Sequence, residues 1–230
     1  MAARRQPNPH SESVDDYLKA ILALGGPEER RAMSTALANR LGVAPASVTN
    51  MLQKLAVLPT PLVEYERHHG VRLSEAGKRR ALEVLRHHRL IETFLYEVLD
   101  YPLEEVHEEA ERLEHFISER FEERIAAKLG NPTIDPHGHS IPAMDGKMAK
   151  KNSVPLTQVI GEGPFEVDSI SDHDAATVKL LNTSGITHGV QLRLRKRHAD
   201  DDYAVSIGNS AQVLHLSREA GDAIRIRLSH

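Results

Sequence analysis

The 230-residue chain contains no cysteine and no tryptophan, and only 4% of its residues are aromatic. Without cysteine there are neither disulfides nor thiolate metal sites, so any metal centre must use histidine and carboxylate donors. No apolar run approaches the roughly 18 residues of a membrane helix, and Met1 to His10 is polar, without the apolar stretch of a signal peptide. These absences lead to the expectation of a cytoplasmic protein with no membrane partner. What remains is ordinary for a globular chain, 40% hydrophobic and 27% charged, and long enough for one large domain or two to three small ones.

The net charge of −4 conceals a division along the chain. Residues 1–80 hold 12 Lys/Arg against 8 Asp/Glu, whereas residues 81–130 hold 6 against 13 and include four of the 14 histidines. A basic first third suits a polyanion and an acidic, His-bearing middle suits a cation.

In the first third, Val14, Tyr17, Leu18, Ile21, Leu22 and Leu24 recur at helical spacing until Gly25-Gly26-Pro27 stops them. Met33 to Leu41 predicts a short helix, Gly42 a tight turn, and Ala44 to Leu58 a third helix with Pro45 in its first turn. This is the helix-turn-helix pattern. Val63 to Leu73 predicts a β-hairpin wing with a polar tip at Arg67, His68, His69 and Gly70. On the third helix Ser47, Thr49, Asn50, Gln53 and Lys54 lie off the apolar face, where hydroxyls and amides can bond base edges and phosphates in a major groove. Ser34 and Thr35 open the preceding helix, where free N–H groups attract phosphate. Arg67 and Arg72 are placed to grip the adjacent backbone.

Residues 78–99 and 103–129 predict two amphipathic helices joined at Asp100-Tyr101-Pro102, the second burying Val106, Ala110, Leu113, Ile117 and Phe121. At about 100° per residue, His107, Glu111, Glu114 and His115 fall within roughly 100° of one another on that second helix. His88 and Glu92 stand one turn apart on the first. Such a set of nitrogen and oxygen donors suits a divalent cation. Two enzyme patterns fail on spacing. A zincin needs a second histidine where Glu111 stands, and a di-iron bundle needs Glu three residues before His115, where Arg112 stands. Four prolines, Gly138 and Gly146 mark 131–155 as a linker. Beyond it, alternation in Gln191–Lys196, Gln212–Leu216 and Ala223–Leu228 describes a small β-barrel of about 75 residues.

The order of these parts resembles the diphtheria-toxin-repressor family of iron- and manganese-dependent transcription regulators over essentially the whole chain. Asp16-Tyr17-Leu18 is similar to its N-terminal ligand position, and Val43-Ala-Pro45-Ala46-Ser47-Val48-Thr49-Asn50-Met51 to the recognition helix of its manganese-responsive branch. His88-Arg-Leu-Ile-Glu92 and Val106 to His115 match its metal-binding helices, Asn131 to Pro142 the motif that follows, and the C-terminal strands its SH3-like (FeoA-like) domain.

The resemblance implies a mainly α protein with a small C-terminal β domain: a winged helix-turn-helix over 1–77, a helical dimerisation and metal-binding domain over 78–142, a linker over 143–155 and an SH3-like barrel over 156–230. It implies a primary site of Asp16, Glu111, Glu114 and His115, and an ancillary site of His88, Glu92 and His107. DNA contacts would come from Ser34, Thr35, Pro45, Ala46, Ser47, Thr49, Asn50, Gln53, Lys54 and Arg67. Oxygen donors at Asp16 and Glu111 favour Mn²⁺, with Fe²⁺ the alternative and Co²⁺, Cd²⁺ or Zn²⁺ able to bind in vitro. Lys19 stands where the manganese branch has a carboxylate, and Asp168, Asp172 and His173 are the C-terminal candidates for further ligands. The expected protein is a non-enzymatic homodimeric repressor of metal-homeostasis genes on a near-palindromic operator in double-stranded DNA, with no small-molecule substrate. A winged-helix regulator gated by an organic ligand and a metal-dependent hydrolase are the alternatives.

Overall fold

The computed structural model describes residues 11–26, 30–197 and 203–227. Helix α1 (Glu12–Gly25) forms because Val14, Tyr17, Leu18 and Ile21 recur at three- and four-residue intervals, and all four are buried. Helix α2 (Ser34–Leu41) closes on Gly42, whose left-handed backbone (φ 63°, ψ 28°) glycine adopts without a Cβ penalty. Helix α3 (Pro45–Ala56) then starts on proline, whose missing N–H has no helical partner there. Val48, Leu52 and Leu55 of α3 join Leu18, Ile21 and Leu37 in one core. Strands β1 (Val63–Glu66) and β2 (Gly70–Leu73) pair antiparallel from Val63↔Leu73 to Glu66↔Gly70 and add Val63 and Val71 to that core. The winged helix-turn-helix stands as the sequence predicts.

Helix α4 (Glu75–Leu99) begins against the wing. A Cβ on Gly77 would meet the Leu62 carbonyl oxygen at 1.9 Å, a backbone atom with no room to give. Gly77→Ala is therefore expected to destabilise the protein by about 1–3 kcal/mol, read as a lower thermal midpoint by circular dichroism. An unchanged midpoint would contradict the close approach.

The chain divides into two compact units within α4. One comprises Met1–His87, Glu114–Phe116 and Pro142–Lys147, the other His88–Leu113, Ile117–Ile141 and Met148–His230. In the second unit the single helix expected over 103–129 is instead two, α5 (Val106–Leu113) and α6 (Glu119–Lys128). Ser118 explains the restart: its side chain accepts a hydrogen bond from the Phe121 N–H and caps α6. The break leaves Leu113 and Phe121 exposed and Ile117 half-buried, so of the stripe expected there only Val106 and Ala110 are buried, and the buried apolar residues of α6 are Ile125 and Ala126.

The stretch expected to be a linker is built differently over 131–141. Ile134 and Ser140 bridge antiparallel, Ile141 is buried with Leu90, Ile125 and Ala126, and Asp135 and His137 are buried as well. The remainder of the second unit is a six-stranded antiparallel sheet. Its strands are β3 (Ser153–Pro155), β4 (Phe165–Ile170), β5 (Gln191–Arg197), β6 (Tyr203–Ile207), β7 (Leu214–Leu216) and β8 (Ile224–Arg227), in the order β3-β8-β4-β5-β6-β7. Leu228, the last residue of one expected strand, lies outside the described residues, as does Met1 to His10. Strand β3, which falls inside the expected linker, strands β4 and β6, and helices α7 (Ala175–Thr183) and α8 (Arg218–Ala223) add to the sequence reading. Asp174 caps α7 and Ser217 caps α8, each by accepting from a backbone N–H three residues on. Among the described residues, no helix is long and apolar enough to cross a membrane.

Candidate metal centres and nucleic-acid interface

In the first unit, α1 carries Asp16 and the turn at 114–116 carries Glu114 and His115. The His115 Nε2 lies 3.3 Å from Asp16 Oδ1 and 3.3 Å from Glu114 Oε1. Its other nitrogen lies 3.5 Å from Asp15 Oδ2. Burial disfavours a charged imidazole here, but Asp15, Asp16 and Glu114 outweigh it and push the His115 pKa up to about 10. The three carboxylates around the ring favour positive charge at this point. Asp15 is not itself a free donor, because Arg80 grips both its oxygens at 3.0 Å; against the cost of burial, His115 and then Arg80 hold its carboxyl below the usual range. Lys19 also faces the cluster, donating to both oxygens of the fully buried Glu114 at 2.7 and 2.8 Å.

In the second unit, His88 and Glu92 of α4 meet His107 of α5. His88 Nε2 is 3.0 Å from Glu92 Oε1 and 3.1 Å from His107 Nδ1, and His107 Nδ1 is 3.2 Å from the same Glu92 oxygen. Asp172, in the segment after β4, brings Oδ2 to 3.8 Å from His107 Nδ1. Separations near 3.1 Å match neighbouring ligand positions around an octahedral ion with bonds of about 2.2 Å. The second Glu92 oxygen is buried without a hydrogen-bond partner, a vacancy in hydrogen bonding that a cation satisfies. Burial alone would raise the Glu92 pKa, yet His88, His107 and His137 hold it well below the ordinary value. Against the same burial penalty, His139 leads the neighbours that bring Asp172 down to about 2. Both clusters therefore fit a divalent cation by donor type, spacing and charge.

Of the four residues implied for the primary site, Asp16, Glu114 and His115 come together within one unit. Glu111 lies in the other, 3.8 Å from His88 Nδ1 and 4.0 Å from His107 Nε2. The three implied ancillary residues come together and Asp172 joins them. His173 lies beside that group, with Nδ1 3.2 Å from Asp172 Oδ1. Asp168 is held instead by Lys151 and Arg227. The sequence reading missed Asp135, His137 and His139, which form a further cluster inside the supposed linker. Their alternation as Asp-x-His-x-His was the available signal, since residues two apart point the same way in extended chain.

On the prospective DNA face, Pro45, Ala46, Ser47, Asn50 and Gln53 of α3 are exposed, and Thr49 and Lys54 are half-buried. Thr35 is exposed at the start of α2, Ser34 is half-buried, and no side chain caps that helix. Arg67 is exposed at the wing tip. Arg72 is engaged in an ion pair across the wing, its Nε 2.7 Å from Glu64.

A winged helix-turn-helix and two histidine–carboxylate clusters in one chain are the combination expected of a metal-dependent winged-helix transcriptional repressor. Residues 10–71 match the model of the iron-dependent repressor N-terminal DNA-binding domain, and residues 74–143 that of its metal-binding and dimerisation domain. The chain belongs to this iron- and manganese-dependent repressor family, which includes the diphtheria toxin repressor. It is 27% identical over 227 residues to the iron-dependent repressor IdeR of Mycobacterium leprae, covering 94% of this chain and 96% of that one. With IdeR of Mycobacterium bovis the identity is 35% over 133 residues, 58% of this chain and 56% of the relative. Among solved structures, a manganese-dependent transcriptional repressor in complex with manganese superposes with a TM-score of 0.84 at 36% identity, covering 93% of this chain and 98% of that one. The manganese regulator SloR gives 0.75 at 29% identity, covering 94% and 98%.

Proposed function

We propose that the protein is a Mn²⁺-responsive repressor of metal-homeostasis genes, a regulator and not a catalyst, that binds a near-palindromic operator as a homodimer. The observation that carries this reading is the meeting of Asp16, from the DNA-reading module, with Glu114 and His115 from a turn almost one hundred residues later. Two carboxylates and one imidazole are a hard, oxygen-rich set that suits Mn²⁺ or Fe²⁺ better than softer ions. When bound, the ion supplies two positive charges and a fixed coordination geometry. Asp16 answers by anchoring α1, and through the shared core it anchors α3. Glu114 and His115 anchor the turn that follows α5. Recognition helices meet two half-sites only at a set spacing, so a constrained α1 favours operator binding. In the second unit His88, Glu92, His107 and Asp172 are the residues placed to hold a further ion. An electrophoretic mobility shift with added Mn²⁺ tests the reading: operator affinity rises with the ion, and equal affinity with and without it would overturn the proposal.

Base reading is assigned to the exposed face of α3. Asn50→Ala is expected to cost about 1–3 kcal/mol of discrimination if its amide pairs with a base edge, a loss of roughly 5- to 150-fold in specific over nonspecific binding. Lys54→Ala should weaken both alike and flatten the salt dependence. Titrations against operator and scrambled duplexes at two salt concentrations separate the two outcomes.

A further inference from the structure

We propose that His68 and His69 at the wing tip hold a phosphate of the DNA backbone together with Arg67, and hold it more tightly when protonated. Operator affinity then rises as pH falls. This rests on the operator-binding reading above and adds to it a contact outside α3 with its own regulation.

The tip is a fixed piece of structure. Strands β1 and β2 turn at Glu66–His69, where the His69 N–H donates to the Glu66 carbonyl at 3.1 Å. His68, the third residue of that turn, has φ 68°, a left-handed backbone uncommon outside glycine. A Cβ on the following Gly70 would lie 2.5 Å from the Ala32 carbonyl oxygen, so the wing sits tightly against the segment ahead of α2. Ala32 and Val71 exchange backbone hydrogen bonds at 2.7 and 2.9 Å, and Arg31 donates to the Glu64 and Gly70 carbonyls at 3.2 and 3.3 Å. The base of the wing is tied to α3. The Leu62 N–H donates to the Leu55 carbonyl at 3.1 Å, and Val63 and Val71 share a core with Val48 and Leu52. A tip anchored in this way moves with the recognition helix.

Glycine or asparagine fits a left-handed turn position at less cost than histidine. Both imidazoles are exposed and pack nothing, and an unusual backbone held at an exposed tip points to function. The charged groups facing them are few. Glu66 Oε1 lies 3.8 Å from His69 Nε2, and its Oε2 lies 3.8 Å from Arg31 Nη2, so one carboxylate is shared between the two. Glu64 and Arg72 pair with each other across the strands. Arg67 is exposed beside the imidazoles. Arg31 and Arg67 against Glu66 leave a charge of +1 at the tip with both imidazoles neutral, and +3 with both protonated. Histidine changes charge between about pH 5 and pH 8. A phosphate favours the protonated ring, so binding takes up protons and affinity rises as pH falls. Such a contact fixes the reader on the duplex without reading sequence.

The test is fluorescence anisotropy of the full-length chain, saturated with Mn²⁺, on a duplex recovered by in vitro selection with that protein. Between about pH 8 and about pH 6 the native affinity should rise about fivefold more than that of His68→Asn/His69→Gln, as for two exposed ion pairs. Asparagine tolerates the left-handed position. Titration at Asp16, Glu114 and His115 is common to both proteins and cancels in the ratio. The dependence of log affinity on log salt should steepen at the lower pH in the native protein alone. His69→Lys, charged at both pH values, should respond to pH less than the native protein does. Equal pH responses and equal salt slopes in the native protein and the double variant, both still binding the duplex, would overturn this proposal alone. Failure to select any duplex with Mn²⁺ at either pH would overturn it together with the operator-binding reading.

Discussion

Asp16→Ala should bind operator with one weak affinity, whatever the Mn²⁺ concentration. The native protein should gain about 5- to 150-fold on saturation, the range of a coupling free energy of roughly 1–3 kcal/mol. Asp16 is the informative position because its side chain is 41% exposed and touches the cluster through His115 alone among the contacts described. Its loss opens no cavity, so the metal-free protein should retain native stability and native weak DNA binding. The donor set would fall from three to two, and only Glu114 and His115 would remain to hold the ion. A mobility-shift titration in Mn²⁺ reads the outcome. If the variant still tightened on its operator, Asp16 would not link the ion to the reader.

Lys19→Ala should separate metal-free from metal-loaded protein in the opposite sense. Glu114 is fully buried, and Lys19, 15% exposed, donates to both its oxygens. Removing Lys19 takes one positive charge from beside a buried carboxylate that still faces His115, at a cost of up to about 3 kcal/mol, or at most roughly 6–12 °C in a chain of this size. A divalent ion at Asp16, Glu114 and His115 supplies the missing positive charge, so the deficit should shrink on adding Mn²⁺. The variant should also bind Mn²⁺ more tightly, because the ammonium no longer opposes the ion. Thermal melts with and without Mn²⁺ give both quantities. An equal loss in the two conditions would mean that Lys19 and the ion do not compete for Glu114.

The sequence disclosed the DNA reader because each of its devices is local. Helical periodicity, a left-handed Gly42, Pro45 at a helix start and a short alternating hairpin each act within a few residues. The helix pair was harder. Its apolar period runs on through Ile117 and Phe121, and nothing in that period marks the end of α5, although Ser118 followed by acidic Glu119 was a capping signal in plain view. Strand β4 was hidden by Asp168, which is buried and is tolerated there because Lys151 and Arg227 pair with it from other parts of the chain. The cluster at 135–139 was hidden by its own composition. Proline and glycine signal a loop, and a loop reads as solvent-exposed until tertiary packing on β4 buries it. Asp172 lies far from His88, Glu92 and His107 in the chain, and only the fold brings it to them.

The most direct measurement is an anomalous difference map from Mn²⁺-loaded crystals of the full-length protein. A peak bonded at once to Asp16, Glu114 and His115 is the expected result. A peak that leaves Asp16 uncoordinated, or density only among His88, Glu92 and His107, would contradict it.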